Sequence, residues 1–402
     1  MASNNLAPAS PDTAKAARKW RRHTLQVLGA TAMAYLGFAV VVPALPLYVR
    51  GDLGLGAGSI GLVMGIDAVT TALIRPVAGA FADRYGCRLV FCLGAGVLAL
   101  SGAGYYLSTT LGLMIANRLL MGLGLGALLS SATIWVVEIA PESQQSWALG
   151  LVGMVNYGTL AAGVILGQAL VSWGGYALVF ACAAATPALG VAALVRAPDT
   201  ARKPPTLPGG TGGLVRQFSG ARPALVPGVS LALTYFGYVA LTSFTVIALS
   251  ERDVPGGAAV VSVYALSLVV ARLAAGPFTG RLRTGLRIIL SITLEAVGLV
   301  LLGVAHVLPL AILGAALMGI GLAEVYPALG DRVLKAAGNG RRGAAVATFG
   351  AFIQIGISTG GPLLGIVAES MGYTSMFLLA AICALAGMVI DVIMYQMRAR
   401  AA

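Results

Sequence analysis

The chain consists of apolar runs of helical length joined by short polar connectors, and this pattern limits its possible folds more than any other feature. The run "LVFCLGAGVLALSGAGYYL" (89–107) is representative. Hydrocarbon accepts only helices and closed barrels, because every backbone polar group must find a partner inside the chain. Barrel strands alternate apolar and polar residues, and this run does not. A spanning helix needs about 20 mostly apolar residues. Only 10% of the 402 residues are charged and 58% are hydrophobic, whereas a soluble domain carries about 25% charged residues. The expectation is an all-α membrane protein with twelve spans, at 24–49, 59–81, 89–107, 110–134, 147–171, 175–195, 224–249, 258–280, 286–305, 308–330, 343–368 and 373–396.

Residues 197–222, "APDTARKPPTLPGGTGGLVRQFSGAR", are rich in Pro, Gly and basic residues and read as a flexible linker. They divide the chain into an N-terminal six-helix bundle (24–196) and a C-terminal one (223–397). Residues 1–23 and 398–402 read as polar cytoplasmic tails. The first tail has no apolar core, so it is not read as a signal peptide.

Lys and Arg favour the cytoplasmic side of a membrane. With the N-terminus inside, the 26 Lys and Arg all fall on the inner side except Arg50 and Arg252 outside and Arg75, Arg118 and Arg272 within spans. The net charge of +12 is then a product of topology, and no nucleic-acid partner is expected. Both termini are expected in the cytoplasm, beneath a bacterial-type inner membrane. Cys87, Cys92, Cys182 and Cys383 form no CxxC pair, and the two histidines, His23 and His306, lie outside the spans. No metal, disulfide or cofactor is expected.

The halves repeat each other at an offset of 197 residues. "IRPVAGAFADRYG" (74–86) aligns with "ARLAAGPFTGRLRTG" (271–285), which places Arg75 on Arg272 and Arg84 on Arg281. "LLMGLGLG" (119–126) aligns with "ALMGIGLA" (316–323), and "GGYALVFACAA" (174–184) with "MGYTSMFLLAA" (371–381). Two related bundles running the same way suit alternating access around a site between them.

These features resemble the major facilitator superfamily along all twelve spans. The most specific likeness is Gly79-x-x-x-Asp83-Arg84-x-Gly86-x-Arg88, which falls on the loop joining spans two and three. Cys87 stands where a basic residue is common. The resemblance implies that Asp83 latches onto the N-terminus of span eleven when the carrier faces outward. Gly79 is expected to allow close helix approach, and Gly86 a turn with positive φ. Arg84 and Arg88 are expected to pair with Glu138 or to act as positive-inside anchors. The second half has Gly280 where Asp83 stands, so only one full latch is expected.

A charged side chain at mid-membrane costs roughly 2.5–3.5 kcal/mol and marks function by default. Arg118 resembles the span-four arginine associated with proton coupling in the family; it is expected to tune a nearby carboxylate or grip an anionic substrate, or else to brace spans one and four. Asp67 is a candidate proton carrier or a partner for Arg118, and Glu324 is expected to face cargo or proton. Arg75 and Arg272, as symmetry mates, are read first as braces and second as substrate ligands. Glu295 and Asp391 are expected in buried pairs or snorkelled positions. The resemblance implies that spans one, four, seven and ten line the cavity. Tyr235, Tyr238, Thr242 and Thr245 share one helical face, as do Thr31, Tyr35 and Phe38. Asn156, Tyr157 and Gln354 add hydrogen-bonding groups.

The expected function is secondary transport of a small organic molecule, with export coupled to protons as the first reading. Uptake of a sugar or organic anion is the second, and a receptor without transport is remote. No enzymatic site is expected, and a monomer is the family default. Span five lacks the Gly-Pro pattern common in antiporters, with Val164 at the Pro position, which weakens the case for export.

Overall fold

The computed structural model describes residues 11–141, 144–194, 222–279, 282–337 and 342–401. Gly280, Arg281 and the expected linker, apart from its last residue Arg222, lie outside these. Among the described residues there are helices and no strands. The α-helices are α1 (Pro11–Ala39), α2 (Val41–Gly51), α3 (Ala57–Tyr85), α4 (Cys87–Gly104), α5 (Leu111–Ile139), α6 (Gln145–Ala193), α7 (Arg222–Ser250), α8 (Gly257–Thr279), α9 (Thr284–Gly303), α10 (Leu308–Ala336) and α11 (Arg342–Ala401).

Among the described residues, ten helical segments are long and apolar enough to cross a membrane. Two of them are interrupted. α6 has non-helical backbone at Gly174 and Gly175, and α11 at Gly372. Gly175 (φ 67°) and Gly372 (φ 81°) both occupy the left-handed region that glycine enters without steric cost. They are mates under the 197-residue offset. The first span is divided into α1 and α2 because Pro43 lacks the N–H that would bond to Ala39, and Pro46 lies within α2. α1 begins at Pro11, well before the expected span. The Ala, Lys and Arg of "AKAARKWRR" favour helix and extend it beyond the apolar segment.

The sequence repeat recurs contact by contact. Gly122 of α5 abuts Asp67 and Thr70 of α3, and its mate Gly319 of α10 abuts Tyr264 and Ser267 of α8. Gly124 packs against Gly94 and Leu98 of α4, as Gly321 packs against Ser291 and Glu295 of α9. Small residues let these backbones approach closely where lipid supplies no hydrophobic drive. Large apolar residues such as Leu73, Leu100, Ile366 and Ile382 remain exposed on the outer surface.

The halves meet mainly through α3 against α11 and α6 against α8. The α3–α11 seam is tight at the end carrying Arg50, where Gly61 and Gly361 lie backbone to backbone and Gly365 faces Ala57. Arg50 forms an ion pair with Glu251 across the halves, and its Nη1 donates to Tyr373 Oη at 2.9 Å. The Gly58 amide donates to Glu369 at 3.0 Å. Arg252 donates to the carbonyls of Leu302, Gly303 and Ala305, closing the C-terminus of α9 at this same end.

At the opposite end, Asp83 is half-buried and its side chain makes no hydrogen bond or ion pair among the described residues. Arg84 lies over the Tyr85 ring at 5.1 Å. Arg88 and Glu138 are each engaged in an interaction. Gly86 turns the chain from α3 to α4 with φ 93°. Gly79 departs from its expected role: a Cβ there would meet only Ile134 at 3.9 Å, an ordinary contact. The close approaches of α3 are made by Gly61 and Gly65 instead.

A side chain at Gly361 has no room against the Gly61 carbonyl. Gly361→Val is therefore expected to part α3 from α11 at the Arg50 end. With Cys87, Cys92, Cys182 and Cys383 replaced by Ser, Ile357→Cys should react several-fold faster with an impermeant thiol reagent applied from that face. Equal rates with and without Gly361→Val would contradict the seam.

Candidate functional site

A cavity of about 760 Å³ lies between the halves. Its wall is assembled from both. Tyr35 and Phe38 come from α1, Asp67 and Arg75 from α3, Arg118 from α5, and Asn156 and Tyr157 from α6. The other half contributes Tyr235, Tyr238 and Thr242 from α7, Tyr264 and Arg272 from α8, Tyr326 from α10 and Gln354 from α11. Every residue expected to bind substrate is on this wall except Glu324. Thr31 and Thr245, which share helical faces with wall residues, are buried off it: Thr31 Oγ1 donates to Val27 O of its own helix at 2.7 Å, and Thr245 Oγ1 has no partner among the described residues.

Glu324 is drawn away by Arg287 of α9, whose Nη2 donates to its Oε2 at 2.6 Å. The glycine pattern before Glu324 suggested a cavity position, but helix rotation turns the carboxylate toward α9. Asp391 forms a buried ion pair with Arg332, as one of its two expected placements. Glu295 takes neither: it is fully buried, and neither carboxylate oxygen has a partner among the described residues. Gly237 makes space for it, since a Cβ there would stand 2.6 Å from Oε1.

The centre of the wall is a buried ion pair. Arg118 Nη2 donates to Asp67 Oδ1 at 2.6 Å, and both side chains are under 10% exposed, at 2% and 7%. The guanidinium is held on other sides as well. Its Nε donates to Val63 O at 2.9 Å and Nη2 to Met64 O at 3.3 Å. The Phe38 ring lies 5.9 Å from its central carbon. Gly122 brings α5 close enough to α3 for this contact, and Thr71 reinforces it by donating to Gly122 O at 3.1 Å.

Arg75 and Arg272 differ from Arg118. Arg272 lies over the Tyr157 ring at 5.3 Å and donates from Nη1 to Ala323 O at 2.8 Å. The buried Nε of Arg75 has no partner among the described residues. Asn156 Oδ1 is likewise buried without a partner. Around these groups stand Tyr35, Tyr235, Tyr238, Tyr264 and Tyr326, with Tyr35 stacked on Phe38 at 5.4 Å. Sequence reasoning missed Tyr264 and Tyr326. Tyr264 was detectable as the mate of Asp67 under the 197-residue offset; Tyr326 carried no signal. The Arg50, Glu251, Glu369 and Tyr373 fastening was also missed, because each residue sits alone in a loop or at a helix end.

A helical membrane protein with an aromatic-walled cavity, carrying a few charged groups, between two repeated halves has the architecture of a carrier. The chain belongs to the Major Facilitator Superfamily, whose pattern it matches over residues 27–289 and 253–401. It is 29% identical over 405 residues to an uncharacterized MFS-type transporter of Burkholderia mallei (strain SAVP1), covering 97% of each chain. Its fold is similar to that of a mutant of the nucleoside transporter NupG, with TM-score 0.80 at 16% identity over 93% of this chain and 100% of that one. It is also similar to a POT family transporter, with TM-score 0.79 at 14% identity over 94% and 96% of the two chains.

Removing one member of a buried ion pair leaves the other uncompensated, at a cost of about 3–5 kcal/mol. Asp67→Ala is expected to lower the thermal unfolding temperature of the detergent-purified protein markedly. The double variant Asp67→Ala/Arg118→Met should recover much of that loss. A double variant no more stable than the single one would show that the pair does not brace α3 and α5.

Proposed function

We propose that the chain is a proton-coupled carrier that exports a small organic molecule across a bacterial inner membrane by alternating access. Counting each interrupted helix as two spans gives twelve, in two six-helix bundles with both termini in the cytoplasm. The Arg50 end is then the outer face and the Asp83 end the inner face. The observation that carries this reading is the cavity between the halves, whose wall holds the buried Asp67–Arg118 pair. The outer seam of α3 and α11 is shut.

In this state the inner latch should be open; the Asp83 side chain has no hydrogen-bond or ion-pair partner among the described residues, which do not include 338–341. Turning the carrier outward would part Arg50 from Glu251 and bring Asp83 to the N-terminal end of the helix after residue 341, where a helix dipole favours an anion. Asp67 is the proton-carrying group. Its protonation would release Arg118 from their charge-assisted bond and free that guanidinium to reorganise around cargo. Glu324, paired with Arg287, would then act in conformational change and not in cargo binding. The carrier acts as a monomer in the lipid bilayer, and its energy source is the proton gradient without any cofactor.

Proteoliposomes with an imposed pH gradient and a compound panel test this directly. Export predicts cargo movement against proton flow, out of the compartment that faces the Asp83 end. Accumulation in right-side-out vesicles driven by external acid would make the chain an importer. Asp67→Asn should abolish gradient-driven accumulation and retain cargo exchange, whereas full driven transport in that variant would remove Asp67 from coupling. Asp83→Asn should slow transport at least severalfold at normal protein levels. An unchanged rate would dismiss the latch.

A further inference from the structure

The cavity's charges do not balance. Three arginines line it, Arg75, Arg118 and Arg272, and Asp67 is the one carboxylate on its wall among the described residues. Asp67 is committed to Arg118 at 2.6 Å. Two guanidiniums therefore face the cavity without a carboxylate. Guanidinium stays protonated in proteins, so these charges cannot be removed by losing a proton. Both residues are half-buried, and a charge partly withdrawn from water favours an anionic partner. A brace, the first expectation for these residues, would place each against a carboxylate or a set of carbonyls. Arg272 has one such carbonyl, Ala323 O, and Arg75 Nε has none.

We infer that Arg75 and Arg272 form a two-armed clamp for an organic anion with a flat aromatic or similarly apolar body. This rests on the transport reading above and specifies its cargo. Each arginine presents a planar fork of donors suited to carboxylate, sulfonate or phosphate oxygens. They come from equivalent places on opposite halves, α3 and α8, so an anion held by both bridges the two bodies that must move. The Arg272 guanidinium lies over the Tyr157 ring at 5.3 Å, and only its Nη1 is engaged by a carbonyl, that of Ala323. The rest of the ligand would lie among Tyr35, Tyr238 and Tyr264, in a space whose 760 Å³ suits a drug-sized molecule. A cationic cargo would meet two like charges and no free carboxylate, and a neutral one would leave both arginines uncompensated.

Matched probes that differ only in charge provide the test: 2-naphthoate, 2-naphthamide and 2-naphthylmethylammonium, with sulfate as a bare anion. Binding to the purified full chain is read as the concentration-dependent rise in unfolding temperature. Millimolar 2-naphthoate is expected to stabilise the protein, and the other three probes much less. Arg75→Gln and Arg272→Gln should each weaken naphthoate about tenfold or more, as loss of a charge-assisted hydrogen bond implies. Arg75→Lys and Arg272→Lys should retain part of the affinity, and they serve if a Gln variant does not fold. The proposal is overturned if naphthoate gives no shift, if naphthamide or the ammonium probe binds as well, if sulfate matches naphthoate, or if the substitutions leave the naphthoate response unchanged. Transport of the neutral or cationic probe without a naphthoate preference would discard this clamp and keep the carrier. Arginine-dependent naphthoate binding in a protein that moves no probe would do the reverse.

Discussion

Charge in a low-dielectric interior is the constraint from which the rest of this structure follows. Hydrocarbon removes water as a partner, so each ionised group needs a counter-charge, a set of oriented dipoles or a route to solvent. The Asp67–Arg118 pair is the fullest local solution. It joins α3 to α5, with the guanidinium also bonded to the Val63 and Met64 carbonyls. Arg332 with Asp391 and Arg287 with Glu324 apply the same solution in the second half. Against these pairs, Arg75 and Arg272 stand out because they open on the cavity with no carboxylate of their own.

Glycine makes the pairing possible. Helices bearing only large side chains would hold their backbones too far apart for a short ion pair. Gly122 draws α5 onto α3 beside Asp67, and Gly319 draws α10 onto α8 beside Tyr264. The same residue type then has a second use at the seam between the halves, where Gly61, Gly361 and Gly365 let α3 and α11 touch. Within a half the glycine contacts are reinforced by hydrogen bonds such as Thr71 to Gly122 O. Across the seam the polar fastenings sit at the rim, and the Arg50–Glu251 pair is over 40% exposed on both sides. An ion pair wetted to that degree contributes little to stability, which suits a joint that has to open.

The sequence conveyed the fold through hydropathy and repetition. Hydropathy marked apolar helices of membrane length, ten of which appear among the described residues, and the residues matched by the 197-residue offset pack alike glycine for glycine. The break between α1 and α2 and the helix beginning at Pro11 were hidden, because apolarity reports immersion and not hydrogen bonding. The site was partly legible. Aromatic and hydroxyl residues at helical spacing in α7 and α1 marked Tyr235, Tyr238, Thr242, Tyr35 and Phe38, all of which line the cavity. Glu324 and Gly79 were misplaced for one reason: rotation about the helix axis depends on neighbours, and one sequence does not reveal them. The Arg50 fastening was invisible because its members are distant in the chain and individually ordinary.

The central claim is that the cavity opens to one face at a time, with the seam at the Arg50 end closed in the state described here. Pulsed electron resonance on spin-label pairs is the most direct measurement of it. One pair, at Leu55 and Val254, would report on the Arg50 end, and another, at Tyr85 and Ala337, on the Asp83 end. The account predicts opposite changes: conditions that lengthen the first distance shorten the second. Two distances that rise and fall together, or that stay fixed while cargo crosses the membrane, would contradict it.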